Sequence, residues 1–153
     1  MSVEPLVLYN SAFLGLHDRT INWKGTHMAA ILCTEDYVPS LAHATYQDII
    51  NDGNEVATGG GHDYEPKAVG TRDIIRNDDQ IEWKSAAVEY GANVSISAQY
   101  LVLVEGNPAD LQSTDKLIGY VDFGSTRTST TAAFSYTPDG GVWYYTTRLP
   151  CPE

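Results

Sequence analysis

The sequence predicts a mainly β protein, a single-domain antiparallel β-sandwich with one short helix. Three observations carry this. Residues 93–104, NVSISAQYLVLV, place Val94, Ile96, Ala98, Tyr100, Val102 and Val104 on one face of an extended chain, with mostly polar residues opposite until Leu101. Residues 117–123, LIGYVDF, form a second β-branched and aromatic run that follows a turn-rich stretch and closes at Gly124, so the two read as a hairpin. Further short strand-like runs recur at regular spacing between turn residues, the pattern of a sandwich.

Taken in order, residues 3–13 give a short apolar opening, and residues 27–33, HMAAILC, a central strand after the turn residues Lys24, Gly25 and Thr26. Between Pro39 and Gly53, Leu41, Thr45 or Tyr46, and Ile49 or Ile50 fall at helical spacing, with Gly53 as the stop signal. The next stretch, NEVATGGGHDYEP, contains three consecutive glycines and is expected to be a bent, flexible loop. Strand signals return at residues 68–76 and 80–89, where Ile81 and Trp83 alternate with Glu82 and Lys84, and Asn77, Asp78 and Asp79 make the turn between them. Past the small polar segment GSTRTSTTAA, the runs FSYT and VWYYTTRL flank PDGG and read as a final hairpin. No repeat or linker divides the chain, so residues 1–153 form one domain, with residues 1–10 and 146–153 as candidate arms.

Charge narrows the partners. A net charge of −11 disfavours binding to nucleic acid and to anionic membrane surfaces. No run approaches the roughly 20 apolar residues of a membrane-spanning helix, and synthesis in a cytosol is expected. Cys33 lies in an apolar run and Cys151 in a Pro-flanked tail. Two free thiols are the simpler reading, with a Cys33–Cys151 bridge or an intermolecular bond through the tail as alternatives. Ten tyrosines against three phenylalanines favour aromatic surface that keeps a polar edge at an interface.

Catalytic and cofactor patterns are weak throughout. His62 and Asp63 follow the glycines, yet His17, His27 and His43 are scattered and supply no second ligand at metal-binding spacing. Asp73, Asp78, Asp79 and Glu82 lack the spacing of a calcium loop, and Ser125 and Ser129 lie in no nucleophile elbow. No enzyme, cofactor or metal is therefore expected. Arg72, Arg76, Lys84 and Arg148 form a possible local basic patch, and Trp83, Trp143, Tyr144 and Tyr145 either pack a core or line a partner surface. Tyr144 and Tyr145 face opposite sides of one strand, so at least one is expected on an outer face.

The segments LYNSAFLGL, INWKGTHMAAILC, YVPSLAHATYQDI, NEVATGGGHDYEP, IEWKSAAVEYGANVSISAQYLVLVEG and LIGYVDFGSTRTSTTAAFSYTPDGGVW together resemble a family of small virion proteins of tailed bacteriophages. The matching positions are Leu8, Tyr9, Asn10, Asn54, Glu55, Val56, Tyr120, Val121, Asp122, Phe123 and Gly124. His62 and Asp63 are inserted relative to the pattern, and TTRLPCPE extends past its usual end. The resemblance implies incorporation into a virion after synthesis in the host cytoplasm, without an assigned activity.

Because packed DNA would repel so acidic a chain from the inner capsid wall, the outer shell is the expected position. The expected role is a decoration or cement protein that forms a homo-oligomer, with symmetry favouring a homotrimer, and binds the major capsid protein or other virion proteins. The expected partner-binding residues are Leu8, Tyr9, Trp143, Tyr144, Tyr145, Pro150, Cys151 and Pro152. The alternatives are a tail, neck or fibre component and, from another class, a carbohydrate-binding module that stacks sugars on Trp143, Tyr144 and Tyr145 beside the GGGHDYE loop.

Overall fold

A computed structural model describes residues 6–147. Its fold is mainly β, 43% strand against 12% helix, built from antiparallel sheets in a sandwich-like arrangement. The main sheet has the order β1 (Val7–Leu8), β8 (Lys116–Thr128), β7 (Ser97–Glu105), β2 (Ala29–Cys33) and β3 (Lys67–Ala68). Two smaller sheets accompany it: β10 (Val142–Thr147), β5 (Gln80–Lys84) and β4 (Asp73–Asn77) form one, and β6 (Val88–Val94) with β9 (Ala132–Tyr136) form the other. Two α-helices lie among the described residues, α1 (Asn10–Asp18) and α2 (Tyr46–Ile50).

The strand β2 is buried at all five positions, and β7 is buried from Leu101 to Val104. Alternation therefore sorts their side chains into two cores rather than into a core and a solvent face. Ala30, Leu32, Leu101 and Leu103 enter the larger core, where the small sheets add Trp83, Val88, Tyr90, Phe134, Tyr136 and Trp143, and α1 adds Ala12. Ala29, Ile31, Cys33, Val102 and Val104 enter the second, closed by Tyr9, Tyr37 and Ile49. The first core holds an aromatic stack: Trp23 lies parallel to Trp83 with ring centroids 5.0 Å apart, and Trp143 meets Tyr136 at 5.3 Å.

The outer edge of β2 is completed in an unusual way. The short strand β3 pairs only with Ala29 and Ala30. Beyond it, Tyr90 Oη donates to the Ala30 carbonyl at 3.0 Å, and the Leu32 amide donates to Tyr64 Oη at 3.0 Å. The Leu32 carbonyl accepts from the Val56 amide, and the Thr34 amide donates to the Asn54 carbonyl, both at 2.9 Å. Two phenols and a loop thus replace a missing neighbour strand, as buried backbone polar groups require.

The expected hairpin of residues 93–104 and 117–123 is present as β7 paired with β8. Its details differ. The first run breaks at Ser95 and Ile96 and shifts register between Ala98 and Tyr100, so that Val94, Ile96 and Ala98 pack in the larger core while Tyr100, Val102 and Val104 pack in the other. The strand β8 does not stop at Gly124 but passes through it, at φ 84°, to Thr128.

The expected hairpin at the end of the sequence does not form. PDGG turns the chain, but β9 pairs with β6 and β10 pairs with β5, in separate sheets. The helix expected between Pro39 and Gly53 is the five-residue α2, held at its start by Asp48 Oδ2, which accepts the Ala44 and Thr45 amides. The longer helix is α1, in a segment read as a plain apolar opening. No side-chain cap opens it, and Gly15 sits within it. That glycine allows close passage of the chain that follows, since a Cβ there would lie 2.4 Å from Ile21.

Of the expected N-terminal arm, residues 6–10 are built into the fold: Leu6 is buried, β1 pairs with β8, and Asn10 begins α1. Residues 1–5 lie outside the described residues. In the expected C-terminal arm, Thr146 and Thr147 pair with β5, and the remainder lies outside the described residues.

Replacing Tyr90 by Phe leaves the Ala30 carbonyl buried with one partner fewer and is expected to lower the unfolding free energy by about 1–3 kcal/mol, measured by urea denaturation. Unchanged stability would show that this phenol is dispensable to the edge.

Candidate functional site

An apolar groove of about 400 Å³ runs between α1 and the β5–β10 pair. It is lined by Phe13, Leu16 and His17 from α1, Ile81 and Trp83 from β5, and Tyr144 and Thr146 from β10. The helical spacing of Phe13, Leu16 and His17 puts them on one side of α1, while Ala12 and Gly15 are its buried positions. On the strands, Trp83 and Tyr144 are cross-strand partners with ring centroids 5.2 Å apart, and Thr146 stands opposite Ile81. Phe13 meets His17 edge-on at 5.3 Å.

This part of the surface is unusually apolar for so acidic a chain. Phe13 is 54% exposed, the adjacent Leu14 62% and Ile81 43%. Ile74 of the edge strand β4, paired with Trp83, is also exposed, while the exposed Ile75 and Tyr145 flank Glu82 on the other face of the sheet. Beside the groove, Arg76, Asp78, Asp79 and Ile81 line a second depression of about 250 Å³. Partial burial raises the Tyr144 phenol above its ordinary pKa, so it stays a neutral hydrogen-bonding group at physiological pH.

The expected partner-binding residues separate sharply. Tyr144 lines the groove and Tyr145 is exposed on the opposite face of β10. Trp143 is a correction: it is 2% exposed, and its indole donates to Ser85 Oγ at 2.6 Å. A register shift between Val142 and Tyr144 breaks the alternation, so Trp143 and Tyr144 both pack against the larger core instead of Trp143 sharing the outer face with Tyr145. Buried in this way, Trp143 cannot stack on a sugar ring.

Tyr9 is the second correction. It is fully buried, its hydroxyl 2.6 Å from that of Tyr37, which in turn lies 3.0 Å from His43 Nδ1. Burial pushes the Tyr9 phenol well above its ordinary range. Leu8 is half-buried against the larger core and paired with Gly119. Pro150, Cys151 and Pro152 lie outside the described residues. No spacing rule marks Phe13, Leu16, His17 and Ile81 as companions of Tyr144.

Elsewhere the polar side chains serve the fold. Glu55 is half-buried and accepts hydrogen bonds from Tyr46 and, at 2.6 Å, from Tyr64. Cys33 is buried and unbridged among the described residues, its thiol raised by burial and by the nearby Glu55 carboxylate. Arg72 leaves the expected basic patch, because its guanidinium is committed to the backbone carbonyls of Trp23, Val69 and Gly25. Ser129 Oγ bridges the break between β6 and β7, donating to the Val94 carbonyl at 2.7 Å and accepting from the Ile96 amide at 3.2 Å. Asp63 accepts from the Ser95 amide at 2.8 Å, and Asp73 pairs with Lys24 at 3.3 Å. Among the described residues, no group of three or more His, Cys, Asp or Glu side chains could hold a metal ion, and no helix is long and apolar enough to cross a membrane.

Comparison with protein families, with characterised proteins and with solved structures gave no match.

The contrast between Trp143 and Tyr145 is measurable. Trp143→Ala is expected to cost about 3–5 kcal/mol of stability, and Tyr145→Ala no more than about 0.5 kcal/mol, both read by chemical denaturation. Equal effects would contradict the placement of these two side chains.

Proposed function

We propose that this chain is a virion structural protein that binds the outer surface of a phage capsid, as a decoration protein does, through the groove between α1 and β5–β10. The observation that carries the reading is the groove itself: Phe13, Leu16, Ile81, Trp83 and Tyr144 form a concave apolar surface, continued by Leu14 and Ile74, on a chain of net charge −11. Exposed apolar patches of this kind mark interaction sites, and an apolar centre with a polar edge is the usual anatomy of an interface. The resemblance to small phage virion proteins supplies the setting, and the overall charge favours the side of the shell away from packed DNA.

The chemistry of the groove describes the complementary surface. Its polar groups are few, His17, Thr146 and the Tyr144 hydroxyl, and Asp78 and Asp79 line the adjoining depression that shares Ile81. A capsid patch that inserts one or two apolar side chains and carries basic residues around them fits this arrangement. Aromatic residues such as Trp83 and Tyr144, anchored by packing on one side, make strong contacts because little side-chain freedom remains to be lost on binding.

Ile81→Asp places a charge in the groove at a position already 43% exposed, so the fold is expected to tolerate it. Against capsids lacking the protein, the variant is expected to bind at least about tenfold more weakly than wild type, a loss of about 1.4 kcal/mol, with an unchanged thermal transition. Equal binding of the two would remove the groove from the interface, and failure of the wild-type protein to bind capsids at all would overturn the virion reading.

A further inference from the structure

The loop from Asn54 to Tyr64 lies along the outer edge of β2 and is fastened at both ends of its glycine turn. At one end Glu55 pairs with Cys33 in an isolated antiparallel bridge, flanked by the Val56-to-Leu32 and Thr34-to-Asn54 backbone hydrogen bonds. At the other, Tyr64 Oη receives the Leu32 amide. Tyr64 then donates to Glu55 Oε2 across the base of the loop, and Tyr46 of α2 donates to Glu55 Oε1. Between the fastened ends, Gly59, Gly60 and Gly61 all have positive φ and nothing within 4 Å of a Cβ position, so the turn is held by its ends. We propose that Glu55, Tyr46 and Tyr64 form a pH-sensitive clasp that holds this loop over the outer edge of β2.

The groups facing Glu55 come from every element around it: Tyr46 from α2, Cys33 from β2, Tyr64 from the loop itself and Tyr90 from β6. All are neutral, and none is a cation. Desolvation therefore outweighs the two phenol donors and raises the Glu55 carboxyl above the ordinary carboxylate range. The phenols are themselves pushed upward by burial, so they remain donors throughout the physiological range.

The sign follows from linkage. A carboxyl that binds its proton more tightly when the clasp is closed stabilises the closed state fully below its ordinary pKa. That contribution falls as pH rises from the ordinary value to the raised one. The clasp is tightest in acid and loosens toward neutral pH, with the opening equilibrium growing by up to about tenfold per pH unit inside that window. Opening exposes the Leu32 amide and carbonyl, the two groups a new edge strand would engage.

The test is amide hydrogen exchange followed by NMR on the intact protein, with each rate corrected for its intrinsic pH dependence. Leu32 reports the clasp, and Leu103, in the ladder between β2 and β8, reports global opening. In the wild type, protection of Leu32 is expected to fall with rising pH while that of Leu103 stays level. In Glu55→Gln the slope at Leu32 is expected to vanish. In Tyr46→Phe, which removes one donor to the carboxylate, the fall is expected to move to higher pH. Protection of Leu32 that tracks Leu103 at every pH, or an unaltered slope in Glu55→Gln, would overturn the proposal. If Glu55→Gln fails to fold, the wild-type comparison and the Tyr46→Phe shift decide it.

Discussion

The constraint on which the rest of the structure depends is the complete burial of β2. Five residues, AAILC, are covered on both faces and along both edges. Covering both faces requires two cores, and the remaining elements sort themselves accordingly. The aromatic small sheets and α1 close one side, while α2 and the segment bearing Tyr37 close the other. Covering both edges requires a hydrogen-bond partner for each backbone group. The strand β7 supplies one edge, and β3, Tyr64, Tyr90 and the 54–64 loop supply the other.

That division of labour explains the location of the candidate site. The strand β2 and the Leu101–Val104 stretch of β7 are buried and have no side left for a partner. The β10–β5–β4 sheet is different, because only its Trp83 and Trp143 end is sunk in the larger core. Its far end carries Ile81 and Thr146 out to α1, where the groove opens. The tryptophans thus join the core to the groove: Trp23 supports Trp83 from within, and Trp83 lines the groove. The tyrosines likewise fall into two populations, with Tyr9, Tyr64 and Tyr90 buried and Tyr144 and Tyr145 reaching the surface.

Local pattern made the main strands legible. MAAILC announced β2, and the alternation of Ile81 and Trp83 across a polar turn announced the β4–β5 hairpin. What escaped was set by distance or by a break in periodicity. The phenol of Tyr90 reaches a carbonyl 60 residues away and that of Tyr64 an amide 32 residues away, which no spacing rule reveals. The helix α1 lacks a side-chain cap and contains Gly15, so its start and stop signals are weak. One register shift next to Trp143 was enough to turn an expected surface aromatic into a core residue, and Tyr144 could not by itself announce the α1 side chains that complete the groove.

The most direct test of the completed β2 edge is NMR detection of the Tyr64 and Tyr90 hydroxyl protons. Phenols buried and hydrogen-bonded in this way exchange slowly with solvent. Two resolved hydroxyl resonances are expected, that of Tyr64 showing a nuclear Overhauser effect to the Leu32 amide and that of Tyr90 to the Ala30 and Ile31 region. A folded protein in which both hydroxyls exchange freely and the Leu32 amide is unprotected would contradict the proposed architecture of this strand.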